Sequence, residues 1–155
     1  MPRFDHSVEI DARRTVLFDL TQDYRKRLQW DPFLKVAYLI DAGEPAVGVK
    51  AWCVAHNGIG METEYVSYDR PAVVAVKMTR GPAILSAFAG SWRFEELEPG
   101  KTRVTFTYFF EVRPAVFAWL LNPLLSTYLS NEMHQRIDAL RRAASSFADV
   151  SGHSK

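Results

Sequence analysis

The chain has 155 residues, of which 48% are hydrophobic and 24% charged, with a formal net charge of +1. That length fits a single domain able to bury a sizeable core, and the near-neutral balance argues against a nucleic-acid partner. No apolar run reaches the ~20 residues that span a bilayer, so stable membrane insertion is not expected.

His6 to Ile10 reads as a short strand, with Val8 and Ile10 on one face. Asp11 is placed as the N-cap of a helix over Ala12 to Thr21, with Val16, Leu17 and Leu20 as its apolar stripe. A second short helix is expected from Tyr24 to Gln29. It stops at Trp30-Asp31-Pro32, because the residue before a proline avoids helical dihedrals. The basic residues of this third, Arg3, Arg13, Arg14, Arg25, Lys26 and Arg27, read as a solvated helix surface. Val36 to Ile40 follows as a strand.

Asn57-Gly58 lies between two strand-like runs and favours a two-residue type I′ turn. In that register His56 pairs with Ile59, Cys53 with Glu62, Ala51 with Glu64, and Val49 with Val66. Val49, Ala51, Cys53 and Ala55 form the better core face, so Glu62, Glu64, Val66 and Tyr68 would face inward with them. A one-residue slip or a bulge would instead turn both glutamates to solvent.

The later strands alternate with period two, as a sheet covered on one face requires. Val74, Val76 and Met78 alternate with an outward Lys77. Phe88, Gly90, Trp92 and Phe94 alternate with Ser91, Arg93 and Glu95. Pro99-Gly100 turns into Val104, Phe106, Tyr108, Phe110 and Val112. Pairing Phe94 with Val104 sets Trp92 against Phe106 and Gly90 against Tyr108. Gly90 then leaves room for the Tyr108 ring.

After Arg113-Pro114 a short helical turn is expected at Phe117 to Leu121. Asn122-Pro123 then reads as the N-cap and first position of a long helix reaching about Phe147, with a kink or break near Pro123. Leu125, Leu129, Met133, Ile137, Leu140, Ala144 and Phe147 supply its apolar stripe. Glu132–Arg136 and Asp138–Arg142 are assigned to the wet side. Ser151 to Lys155 reads as a disordered tail, which leaves residues 1–150 as one domain.

The order is one strand, two short helices, a meander of about six strands and a long last helix. It resembles the helix-grip superfamily (START-like, Bet v 1-like, including polyketide cyclase/dehydrase-like proteins). The local marks are Trp30-Asp31-Pro32-Phe33, Tyr68-Asp69-Arg70-Pro71, Ser91-Trp92-Arg93-Phe94-Glu95 and Thr102-Arg103-Val104-Thr105. The resemblance covers nearly the whole chain. It implies an α+β fold in which a curved antiparallel sheet of about seven strands grips the C-terminal helix around an apolar cavity. It implies binding of lipids, sterols, polyketides or quinones, or in some members cyclisation or hydrolysis. It supplies no shared catalytic motif.

The candidate ligand-binding residues are Trp30, Glu64, Tyr68, Met78, Trp92, Phe106, Tyr108, Phe110, Leu129 and Met133. Trp92, Phe106, Tyr108 and Phe110 make an aromatic inner wall, either packed core or pocket lining. Met78 and Met133 are pliable enough to fit an irregular ligand or to fill gaps in the core. Trp30 sits at the cavity entrance by resemblance, or anchors the second helix. A carboxylate on the covered face must be paired, protonated or in contact with ligand, and a desolvated one can act as acid or base. Glu64 is therefore the sharpest candidate. Trp52 and Phe109 point outward and mark a possible homodimer contact.

His6, His56, His134 and His153 have no metal-ligand spacing, and no phosphate loop or nucleophile elbow occurs. No metal or cofactor is expected. The opening Met-Pro-Arg-Phe-Asp-His lacks a signal peptide's apolar stretch, and the single Cys53 allows no internal disulfide, so a reducing cytoplasm fits. Two functions stay open. One is a carrier or sensor of a hydrophobic small molecule; the other is a cyclase/dehydratase-like enzyme using Glu64 with the hydroxyl of Tyr68 or Tyr108.

Overall fold

The computed structural model describes residues 3–153, with side chains through residue 146. Strand β1 (Arg3–Ile10) leads into α1 (Arg14–Gln22) and α2 (Tyr24–Trp30). The strands β2 (Leu34–Ile40), β3 (Lys50–Ala55), β4 (Gly60–Asp69), β5 (Val73–Arg80), β6 (Leu85–Glu98) and β7 (Lys101–Val112) follow. A 3-10 turn (Ala115–Phe117) and the long helix α3 (Ala118–His153) complete the order. Every pairing is antiparallel, and the strand order is β1-β7-β6-β5-β4-β3-β2. β1 and β2 therefore lie at opposite edges of one seven-stranded sheet. At ~4.8 Å per strand spacing, α1 and α2 must carry the chain across the full width of the sheet.

β7 shows why the sheet curves around a core. Thr102, Val104, Phe106, Tyr108, Phe110 and Val112 are buried, and every residue between them is not. Phe94 pairs with Val104, Trp92 with Phe106 and Gly90 with Tyr108, as the alternation requires. On α3, Met133, Ile137, Leu140 and Ala144 are fully buried and join α1 and the inner faces of β6 and β7 in the main core.

Four local expectations are corrected. Helix α1 begins at Arg14, and Asp11 does not cap it. Its buried face is Leu17, Phe18, Leu20 and Thr21, while Val16 is exposed. Helix α3 begins at Ala118, so Asn122-Pro123 lies inside it rather than at its start. Pro123 there lacks the N–H that would bond the Trp119 carbonyl. The third correction is the burial of two arginines: Arg136 is not on the wet side, and Arg27 is not part of a solvated helix surface. The expected tail is described only to His153, where the helix backbone ends; residues 154–155 and the Phe147 side chain lie outside the described residues.

The fourth correction is the β3–β4 register. Ala55 N–H donates to the Ile59 carbonyl, and Gly58 N–H to the Ala55 carbonyl. The loop thus has three residues, not two. Only Gly58 of the Asn-Gly pair takes a positive φ, 90°, as in a type I turn followed by a left-handed glycine. The Asn57 side chain accepts from Ile59 N–H at 3.0 Å. One extra loop residue moves every partner by one: Ala51 faces Thr63, Trp52 faces Glu62 and Lys50 faces Glu64. Met61, Thr63 and Tyr65 therefore point inward. Val66 follows Tyr65 on the outer face, and a bulge between Tyr65 and Ser67 returns Tyr68 to the core.

Ile137 is fully buried where α3 meets the sheet. Ile137→Ala should cost about 2–5 kcal/mol in urea unfolding, the range for a buried large-to-small change. A loss under about 0.5 kcal/mol would contradict that packing.

Candidate functional site

A cavity of about 230 Å³ lies between the inner face of β3–β7 and the helices α2 and α3. Its walls are mostly apolar: Ala55, Met61, Val74 and Val76 on one side, Phe88, Trp92, Phe106 and Leu129 on the other. Trp92 and Phe106 stack with centroids 3.8 Å apart. Asn57, Ile59, Ile84 and Tyr128 are exposed lining residues and form the mouth. There the Asn57 amide donates to the Tyr128 hydroxyl at 2.9 Å, joining the hairpin tip to α3. Gly90 lies on the wall beneath Tyr108. A Cβ at Gly90 would meet that ring at 3.5 Å, an ordinary contact, so larger side chains there would take up cavity space.

The opposite end is closed by charge. Asp31 follows α2 directly and is 2% exposed. Its Oδ2 accepts from Arg27 Nε at 2.9 Å, Arg136 Nε at 3.1 Å and Arg136 Nη2 at 2.9 Å; its Oδ1 accepts from Phe33 N–H at 3.0 Å. Burial alone would raise the Asp31 carboxyl, but the Arg136 and Arg27 guanidiniums outweigh it and hold its pKa below the ordinary value. Burial works against the charge of Arg136, yet Asp31 and Tyr108 keep it firmly protonated. The Arg136 guanidinium lies 5.0 Å from the Phe33 ring centroid and 5.2 Å from that of Phe106, a cation–π arrangement.

Two tyrosine systems border this cluster. Arg136 Nη1 donates to the Tyr108 hydroxyl, whose own proton has no acceptor among the described residues. Burial pushes the Tyr108 phenol up, so it stays neutral and keeps that proton. Tyr65 donates to Gln22 Oε1 at 2.6 Å, and the Tyr24 and Tyr65 hydroxyls are 2.7 Å apart, which makes Tyr24 the donor to Tyr65. Burial raises both of these phenols as well. Gln22 continues the chain to Thr21 Oγ1, and Thr21 to the Phe18 carbonyl.

Of the residues singled out from sequence, Trp92, Phe106, Tyr108 and Leu129 line the cavity. Met133 and Tyr68 are in the packed core beside it. Phe110 and Met78 belong to a smaller cluster with Leu85 and Val112. Trp30 is buried away from the mouth under Arg27, whose guanidinium lies 5.2 Å from its ring. Its indole N–H has no partner among the described residues. Glu64 is on the outer face, 3.8 Å from Lys77; Glu62 is there too, 3.8 Å from Lys50 and bonded to Thr79 Oγ1 at 2.8 Å. The shifted hairpin register is the cause. Trp52 covers Gly60 on that same face.

Sequence reasoning missed Arg27, Asp31, Arg136 and Tyr65. A signal existed for three of them. Arg27 and Asp31 are four residues apart, and Arg136 occupies the slot between Met133 and Leu140 at steps of three and four. Among the described residues no group of His, Cys, Asp and Glu is placed to hold a metal ion. No helix among the described residues is long and apolar enough to cross a membrane.

A curved sheet gripping a long helix around such a cavity is the helix-grip architecture of START-like proteins. The family described as polyketide cyclase / dehydrase and lipid transport matches residues 1–145, and the chain belongs to it. Similar solved structures include a START superfamily protein from Mycobacterium smegmatis, with TM-score 0.78 and 14% identity over 94% of this chain and 98% of that one. Another is the Zhui aromatase/cyclase from Streptomyces sp. R1128, with TM-score 0.78 and 16% identity over 93% of each chain. A third is norcoclaurine synthase from Thalictrum flavum, with TM-score 0.73 and 13% identity over 95% of this chain and 96% of that one. No curated protein matches the sequence.

Removing Asp31 would leave two buried guanidiniums uncompensated. Asp31→Asn should cost about 3–5 kcal/mol, the range for breaking a buried ion pair from one side. Because the folded-state pKa of Asp31 is depressed, its contribution is complete above the ordinary value of 3.8 and is lost as pH falls below it. Urea unfolding between pH 7 and pH 3 should show that loss in the native protein and a flatter profile in the variant. Equal profiles would contradict the assignment.

Proposed function

We propose that residues 1–150 form one domain that binds a hydrophobic small molecule in the cavity, as a carrier or sensor. The observation that carries this reading is the cavity itself, with mostly apolar walls, a few polar groups and its charged groups gathered at one closed end, the usual make-up of a ligand site. A cavity of ~150 Å³ holds one benzene ring, so about 230 Å³ suits a ligand portion of about two rings, with any longer part leaving by the mouth. Membership of a family described by cyclisation, dehydration and lipid transport supports the same class of ligand: a lipid, polyketide or quinone. The free thiol of Cys53 on the cavity wall fits a reducing cytoplasm.

The second reading is a cyclase/dehydratase-like enzyme, and one observation favours it. The Tyr108 hydroxyl is held by Arg136 with its own proton undirected, so it can donate to a ligand carbonyl while the guanidinium stabilises charge developing on that oxygen. In this reading Tyr108 and Arg136 take the role expected of Glu64. The aromatase/cyclase and norcoclaurine synthase likenesses are compatible with it.

Native mass spectrometry of freshly purified protein should reveal a co-purified apolar molecule. Gly90→Val should remove it by filling the wall while leaving circular dichroism unchanged. Glu64→Gln, on the outer face, should leave ligand occupancy as it is. Retained ligand in Gly90→Val, or its loss in Glu64→Gln, would contradict the cavity as the site. If the protein is an enzyme on that ligand, Tyr108→Phe should lower turnover by about 10²–10⁴, the usual contribution of a general acid.

A further inference from the structure

The charges at the closed end do not balance. Two guanidiniums, Arg27 and Arg136, share the single carboxylate of Asp31, and Arg27, Asp31 and Arg136 are all buried. Tyr108 is neutral and adds no negative charge. Glu132, one turn before Arg136, is half-buried and forms no ion pair within 4.0 Å among the described residues. Counted by direct ion pairs, one guanidinium charge is therefore left without a carboxylate of its own beside an apolar cavity. An uncompensated buried charge is costly unless something pairs with it.

The donors are also unspent. Arg27 gives Nε to Asp31 and Nη1 to the Thr21 carbonyl, and its Nη2 has no hydrogen bond among the described residues. The Tyr108 hydroxyl proton is likewise unassigned. Arg27, Arg136 and Tyr108 all line the cavity. Asp31 already accepts four hydrogen bonds, three at Oδ2 and one at Oδ1, about the number a carboxylate has sites for.

We propose that the cavity selects anionic ligands: aromatic acids of about two rings, seated with the carboxylate against Arg27, Arg136 and Tyr108 and the rings between Trp92 and the aliphatic wall. This rests on the reading of the cavity as a ligand site and adds the charge of the ligand to it. A carboxylate supplies the missing negative charge and accepts the free donors as charge-assisted hydrogen bonds, which are stronger than neutral ones. A neutral ester of the same shape gains the apolar contacts and only the weaker hydrogen bonds of an uncharged acceptor.

The test is calorimetric titration at pH 7 of the native protein with 2-naphthoate and with its methyl ester, which keeps the rings and removes the charge. The acid should bind at least tenfold tighter. Arg27→Met is the informative variant, because it leaves Asp31 and Arg136 as a neutral pair. It should lower the acid-to-ester affinity ratio at least tenfold. Should Arg27→Met fail to fold, the native comparison stands alone, with acid affinity expected to fall as pH is lowered through the ligand's own pKa and ester affinity expected to stay level. An ester that binds as tightly as the acid overturns the proposal while leaving the cavity a ligand site. A preference for the acid that survives Arg27→Met unchanged also overturns it. Binding of neither compound overturns both this proposal and the cavity reading beneath it.

Discussion

The interaction on which the structure depends is the sharing of one buried carboxylate by two arginines. Asp31 sits where the chain leaves α2 for β2; Arg27 is one turn back, and Arg136 is 105 residues away on α3. The cluster therefore joins the segment that crosses the sheet to the helix that the sheet grips. Removing three charges from water is costly, and only close geometry with further hydrogen bonds offsets that cost. The Phe33 N–H, the Thr21 carbonyl and the Phe33 and Phe106 rings supply that setting.

The cavity follows from where α3 lands. Its C-terminal half packs on β1, β7 and α1, and Met133, Ile137, Leu140 and Ala144 fill that space. Toward β3 and β4 the cavity wall includes the small residues Ala55 and Thr63 beside Met61 and Tyr65. The aromatics of β6 and β7, Phe88, Trp92, Phe106 and Tyr108, line the cavity together with these residues. The two ends of the site differ. The arginine cluster closes one, while the uncharged N-terminal part of α3 and the β3–β4 hairpin tip border the other.

How far the sequence could be read depended on how tightly each segment is constrained. β6 and β7 were legible to the individual pair, because strict alternation and a Pro-Gly turn leave one register. The covering stripe of α3 was legible from Met133 to Ala144 for the same reason. The β3–β4 hairpin was legible as a hairpin but not in register. Asn-Gly fits both a two-residue loop and a type I turn closed by a left-handed glycine, and the second form moved Glu64 from the cavity to the Lys77 side. Arg136 was misread because helical charge pairs at four-residue spacing are usually surface features, and only a partner distant in sequence, Asp31, makes burial tolerable. The start of α3 was misplaced because Asn-Pro is a strong capping signal, overridden here by continuity with the preceding turn.

The cavity has a fixed polarity, with an uncharged mouth and a cationic floor. The most direct measurement is a crystal structure with 6-bromo-2-naphthoate, its bromine located by anomalous scattering. The bromine should lie toward Ile59, Ile84 and Tyr128, with the carboxylate within hydrogen-bonding distance of Arg27, Arg136 or Tyr108. A bromine at the arginine end, or a ligand found only outside the cavity, would contradict the account.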